Sequence, residues 1–166
     1  YLRVLEMPRG TTDIERSNHY YDRPTVPSEN HYYMPVQCHQ CANPPCVKVC
    51  PIEATWQEPD GVTVIDYDWC IGCRYCMIAC PYKARSLVYN KTSLPKDGNP
   101  NVPIRGMGVV EKCTFCVHLV DKGQDPACVQ ACEGSGRRAM IFGDLNDPKS
   151  EIAMRVAKVA TKTIRA

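Results

Sequence analysis

Cys70, Cys73, Cys76 and Cys80 stand in the run CIGCRYCMIACP, and two further four-cysteine blocks flank it: Cys38, Cys41, Cys46 and Cys50 before it, Cys113, Cys116, Cys128 and Cys132 after it. As spacings the three read C-x2-C-x4-C-x3-C-P, C-x2-C-x2-C-x3-C-P and C-x2-C-x11-C-x3-C. The middle one matches the bacterial iron–sulfur run at every interval. Three thiolates that wrap three corners of one cubic cluster must share a tight loop whose backbone amides point at sulfur. Gly72 suits such a loop because glycine adopts positive φ at no steric cost. The fourth cysteine lies one helical turn beyond the third and serves the other cluster of a pair. The spacing therefore predicts one [4Fe–4S] cluster on Cys38, Cys41, Cys46 and Cys80 and a second on Cys70, Cys73, Cys76 and Cys50. Pro51 and Pro81 fix the backbone just past each fourth cysteine without needing an amide donor.

Other thiolate chemistries fit less well. A disulfide framework is the default for a small cysteine-dense secreted chain, but such frameworks do not repeat C-x2-C loops closed by C-x3-C-P. Zinc is the stronger competitor at the third block, where Cys113, Cys116, Cys128 and Cys132 could close a four-thiolate tetrahedron. A redox-active C-x2-C pair needs only one such pair in a βαβ setting. Covalent c-type haem is excluded within this sequence, because Ala42, Arg74, Met77 and Val117, not His, follow the C-x2-C pairs. His19, His31, His39 and His118 are read as surface or supporting residues, since the cysteine sets are already complete. No nucleophile, general base or pocket for another cofactor is evident, so no catalytic residue is predicted.

The elements that must position these blocks are short. Residues 54–67, ATWQEPDGVTVIDY, read as a hairpin around Asp60-Gly61, with Val62 and Val64 alternating against Thr63 and Ile65. ARSLVYN at 84–90 and RAMIFGD at 138–144 read as strands that follow the second and third blocks. A unit of cysteine loop, short helix and strand thus recurs three times, and its first two copies start 32 residues apart, at Cys38 and Cys70. Residues 91–108 are rich in Pro, Gly and Asn and predict an irregular connector. Asp147-Pro148 predicts a helix start, with Ile152, Val156 and Val159 on one apolar face. The predicted fold class is α+β: tandem bacterial-type ferredoxin-like units with short helices, hairpins and long loops. The expected segments are an N-terminal extension or leader (1–35), a two-cluster domain (36–90), a connector (91–112), the third block with its strand (113–146) and a C-terminal helix (147–166).

Composition bounds the rest. With 166 residues, 12 cysteines and 14 prolines, the chain is short of ordinary core formers and needs stabilisation beyond apolar packing. No apolar run approaches the roughly 20 residues that span a bilayer. Lys plus Arg number 20 against 18 Asp plus Glu, with no basic block, which gives a nucleic-acid partner little support. The sequence begins at Tyr1 rather than Met, so any targeting signal is expected upstream. Each oxidised cluster with four thiolates carries about −2, so three would invert the formal +2. Lys48, Arg74, Lys83, Arg85, Lys112, Arg137 and Arg138 stand beside the cysteines and are candidates to offset that charge. Trp56, Trp69, Tyr75 and Tyr82 are candidates to shield the clusters.

From about Tyr33 to Pro148 the chain resembles the electron-transfer subunits of complex iron–sulfur oxidoreductases. These include the subunits of polysulfide and dimethyl sulfoxide reductases, formate-dependent nitrite reduction systems, hydrogenase-2-type complexes and alternative complex III. The resemblance is carried by MPVQCHQCANPPCVKVCP, DWCIGCRYCMIACPYKAR, GVVEKCTFCVHLVDKGQDPACVQAC and IFGDLNDP. It implies a non-catalytic relay of electrons through three [4Fe–4S] clusters, or four with an upstream segment. The implied partners are a quinone-reactive membrane subunit and either a molybdopterin-type catalytic subunit or a multihaem cytochrome. The implied location is peripheral to the cytoplasmic membrane, on its outer face or, alternatively, its cytoplasmic one. Members of that family carry a further block ahead of these three, whose fourth cysteine exchanges with that of the last block. Cys132 is then expected to face a cluster held mainly from upstream. Against this, Cys132 is followed by Glu133 rather than Pro, and the loop EGSGRR would let it fold back to complete a third cluster with Cys113, Cys116 and Cys128. A free soluble polyferredoxin and a zinc-structured interaction module are the alternatives from other classes.

Overall fold

The computed structural model describes residues 2–91, 104, 106–136 and 138–159. Two compact units divide the chain, Tyr1–Thr114 with Ala166, and Phe115–Arg165. Among the described residues the first unit holds three two-stranded antiparallel sheets, two one-turn α-helices and two short 3-10 turns, Ile14–Arg16 and Arg23–Thr25. β1 (Arg3–Pro8) pairs with β2 (His31–Val36), bringing Leu5 opposite Met34 and Met7 opposite Tyr32. The predicted N-terminal extension thus contains β1 and most of β2. Leu5, Met7 and Val36 are almost wholly buried, and they form the apolar centre of this hairpin. Glu6 is buried beside them, and its carboxylate accepts from Tyr33 Oη at 2.8 Å and Asn18 Nδ2 at 3.1 Å. Both bonds offset the loss of water around a charged group. Leu5→Ala should therefore lower the stability of the folded chain by about 2–5 kcal/mol. A fall in the thermal midpoint followed by circular dichroism checks it, and an unchanged midpoint would show that the hairpin contributes no core.

The predicted 54–67 hairpin is β3 (Thr55–Gln57) paired with β4 (Thr63–Ile65). Gly61 takes φ +89 in its turn, and Glu58 donates its amide to Val62 O at 2.8 Å. The strand expected over 84–90 is β5 (Arg85–Leu87), and its partner is β6 (Val110–Lys112), inside what the sequence bounds as connector. Residues 92–103 and 105 of that connector lie outside the described residues. α1 (Pro45–Lys48) and α2 (Tyr75–Ile78) each carry the third cysteine of a block, Cys46 and Cys76, on their buried side.

The second unit holds α3 (Val117–Val120), α4 (Ala127–Gly134) and α5 (Glu151–Lys158). Two expectations are corrected here. The described residues of the 138–144 segment form no strand: a strand needs a partner, and the sheets among the described residues all lie in the first unit. The last helix starts three residues later than expected, because Ser150 rather than Asp147 caps it, its hydroxyl accepting from Ala153 N at 3.2 Å. Val156 and Val159, placed on an apolar face by their spacing, are exposed.

Candidate functional site

The cysteine loops of the three blocks share one backbone feature. In the first C-x2-C of each block the residue just before the second cysteine takes positive φ: Gln40 at 45°, Gly72 at 65°, and Phe115 of the third block at 61°. Only the middle one is glycine, so Gln40 and Phe115 each hold a side chain in a region that costs about 1–2 kcal/mol. This left-handed step turns successive amides toward one side, the arrangement that makes an anion-binding concavity. A second shared step follows the fourth cysteines: Glu53 and Lys83, each two residues past its Cys-Pro, take φ of 55° and 51°.

These loops surround two cavities, and the cysteines are crossed between them. Cys38, Cys41 and Cys46 line the first together with Cys80. Cys70, Cys73 and Cys76 line the second together with Cys50. Both cavities are partly open to solvent. α1 and α2, each one turn long, pack against each other, and the fourth cysteine past each, Cys50 or Cys80, lines the cavity of the other block.

The electrostatics of the sets fit a cationic iron–sulfur core. Burial pushes the Cys41 thiol up, and the neighbouring Cys38, Cys46 and Cys80 push it further. Burial raises Cys46 and Cys76 as well, with Arg85 opposing in both cases. A metal centre held there would have to displace those thiol protons, because metal-bound sulfur is thiolate. Donors are aimed at the sulfurs: Val110 N lies 3.4 Å from Cys70 Sγ, Ala84 N 3.4 Å from Cys80 Sγ and Arg85 Nη2 3.0 Å from Cys46 Sγ. Two further buried groups, Thr63 Oγ1 on the first cavity and Arg85 Nη1, have no partner among the described residues. Unsatisfied buried polar atoms are rare, and their position at the cavity walls is where cluster sulfur would meet them.

The hairpin of β3 and β4 braces the first loop. Gln57 Nε2 donates to Cys41 O at 3.0 Å, and Gln40 Oε1 accepts from Thr63 N at 2.8 Å. His39 stacks on Tyr82 at a centroid distance of 4.1 Å, and both line the first cavity. Of the aromatic candidates for shielding, Tyr82 is half-buried, whereas Trp69 and Tyr75 are mostly exposed and Trp56 partly so. Among the cationic candidates, Arg85 and Lys112 are buried, while Lys48, Arg74 and Lys83 are exposed. Arg138 pairs with Glu151 at 2.8 Å and Glu133 at 3.4 Å, and Arg137 lies outside the described residues.

In the third block Cys113 closes the first unit, where its carbonyl accepts from Lys112 Nζ at 2.8 Å and Gln40 Nε2 at 3.3 Å. Cys116 takes φ +51 at the entry to α3, and Cys128 and Cys132 stand one turn apart on α4. Ala139 N lies 3.2 Å from Cys132 Sγ, and Ser135 Oγ donates to Cys132 O at 2.6 Å. Sequence reasoning singled out Gly72 but missed Gln40 and Phe115, whose left-handed steps have no glycine to signal them. Their position before the second cysteine of a C-x2-C is the signal that could have found them.

No helix of the described residues is long and apolar enough to cross a membrane. The family model for the 4Fe-4S dicluster domain matches residues 29–96 and 102–145. The chain is 47% identical over 155 residues to Hdr-like menaquinol oxidoreductase iron-sulfur subunit 1 of Archaeoglobus fulgidus, covering 87% of this chain and 56% of that one. It is 51% identical over 130 residues to the iron-sulfur subunit of a putative dimethyl sulfoxide reductase of Halobacterium salinarum, covering 78% and 48%. Against one of the chains of the polysulfide reductase of Wolinella succinogenes it is 39% identical over 125 residues, covering 75% and 56%. The sequence thus spans about half the length of these curated relatives. Crossed cysteine sets around two cavities, and a family model that covers both of those sets and the third block, agree: the protein belongs to the 4Fe-4S dicluster domain family of iron–sulfur proteins.

Proposed function

We propose that this chain passes single electrons through a row of [4Fe–4S] clusters as part of a quinone-linked oxidoreductase. The observation that carries the reading is the crossing of Cys50 and Cys80 between the two cavities, which ties two cluster sites into one small body. Cys38, Cys41, Cys46 and Cys80 would hold one cluster, and Cys70, Cys73, Cys76 and Cys50 the other. Cys113, Cys116 and Cys128 would supply a third, with Cys132 either completing it or reaching a cluster held from another segment. The bound clusters supply the redox chemistry; the chain's own residues bind them, aim amides at their sulfurs and exclude water. The repeated loop, one-turn helix and strand support a tandem ferredoxin-like layout of the first unit. The relatives named for menaquinol oxidoreductase, dimethyl sulfoxide reductase and polysulfide reductase support a membrane quinone-site subunit as one partner. A molybdopterin-type enzyme or a multihaem cytochrome would be the other, with the complex peripheral to the cytoplasmic membrane, on its outer face.

Protein prepared without oxygen should be brown and contain about eight irons per chain from the two crossed sites, or about twelve with the third. Iron and acid-labile sulfide analysis checks this. A colourless protein holding zinc would overturn the reading in favour of a structural metal module.

A further inference from the structure

Arg85 and Lys112 face each other across the β5–β6 ladder, and both are buried, at 5% and 2% exposure. Like charges directly opposite on a sheet repel, and burial strengthens the repulsion. The ion pairs of the described residues join Lys83 to Glu15 and Arg138 to Glu133 and Glu151, so they lie elsewhere. Arg85 instead lines both cavities. Its Nη2 donates to Cys46 Sγ at 3.0 Å and to Thr55 Oγ1 at 3.1 Å, while Nη1 is buried with no protein partner among the described residues. Arg85 also lines the wall of the second cavity together with Cys76. Cys46 belongs to the first set and Cys76 to the second.

We propose that Arg85 is a cation shared by the two clusters, one planar guanidinium that raises the reduction potential of both. The inference rests on the cluster assignment above. Each cluster gains one electron on reduction, its charge going from about −2 to about −3 with no bond made or broken and no proton required. A fixed positive charge beside both favours the reduced form of each, and low local dielectric makes it effective. A guanidinium suits the task because its fork donates in several directions at once and stays charged when buried. Lys112 is a built-in comparison: it is buried opposite Arg85 but, unlike Arg85, is not among the residues that line either cavity.

The test is a redox titration with dithionite of the full chain, followed by EPR, with the two signals assigned through the Cys50→Ala protein. In Arg85→Gln both clusters should become at least tenfold harder to reduce, about 59 mV each for one electron. In Lys112→Met neither cluster should shift as far as it does in Arg85→Gln. If Arg85→Gln moves neither potential, or only one, Arg85 is not a shared cation. If Lys112→Met moves both as far as Arg85→Gln does, the effect does not belong to the position of Arg85 and the proposal also fails. Should Arg85→Gln not assemble its clusters, the unmutated chain with ¹⁵N-labelled arginine decides by pulsed EPR. A nitrogen coupling on both reduced clusters supports the sharing, and its absence from either overturns it. A chain with no [4Fe–4S] signal in any form would instead sink the cluster assignment itself.

Discussion

Cys50→Ala should abolish the [4Fe–4S] signal of the cluster held by Cys70, Cys73 and Cys76, and leave that of Cys38, Cys41, Cys46 and Cys80 in place. Between one iron and about four should leave the chain, according to whether the damaged cluster survives as a three-iron form. In the sequence Cys50 closes the first block, so an assignment of one block to one cluster gives the opposite result. The crossed assignment is supported by Cys50 lining the same cavity as Ile71, Gly72 and Arg74, on the loop of the second block. Alanine leaves one iron corner without its soft ligand in a pocket where no other described cysteine replaces it. Cys80→Ala is the mirror experiment and should strike the cluster of Cys38, Cys41 and Cys46. Iron analysis with EPR of the reduced protein reads both. Loss of the first cluster in Cys50→Ala would end the crossed assignment.

Much of this arrangement is legible in the residues, for a physical reason. A cluster fixes the spacing of its ligands locally, so the C-x2-C loops, their one-turn helices and the exchanged fourth cysteines leave a signature within a dozen residues. The hairpin at β3 and β4 is equally local, set by Asp60-Gly61 and alternation. What the residues hide is long-range. Nothing in the spacing says that VEK at 110–112 becomes the partner of β5, since that pairing is made across the connector. The burial of Arg85 and Lys112 is hidden likewise, because both cations look like surface charges beside cysteines until the sheet sets them face to face. The expected strand at 138–144 failed for the same reason, its composition being right and its partner missing. Asp147 is used one step earlier, its carboxylate accepting from Lys149 N and its carbonyl from Ser150 N in a turn, while the Ser150 hydroxyl accepts from the Ala153 amide and caps the helix.

Gly72→Ala carries the largest expected cost of any single methyl group here. Gly72 lines the second cavity and takes φ +65, which alone costs alanine about 1–2 kcal/mol. The added Cβ would also run into the Gly108 carbonyl oxygen, with the Gly108 carbonyl carbon at 3.0 Å and Leu87 Cδ1 at 3.4 Å. The obstacle is backbone and cannot rotate away. Nor can it retreat easily, because Gly108 N donates to Val88 O at 2.8 Å and Val88 N to Val109 O at 2.9 Å, holding this stretch to the end of β5. Displacing it would strain bonds worth about 1 kcal/mol each. It would also carry the Val110 amide away from Cys70 Sγ. The overlap adds about 1–3 kcal/mol, so the total should come to about 2–5 kcal/mol. The second cluster should be lost before the first. Gly108→Ala isolates the two causes, since Gly108 takes φ +84 but a Cβ there meets nothing within 4 Å. It should bear only the backbone cost of about 1–2 kcal/mol and keep both clusters. Iron retention and the temperature at which the visible absorbance bleaches measure each variant. If Gly72→Ala is no more harmful than Gly108→Ala, the close approach of these two loops does not hold the second cluster in place.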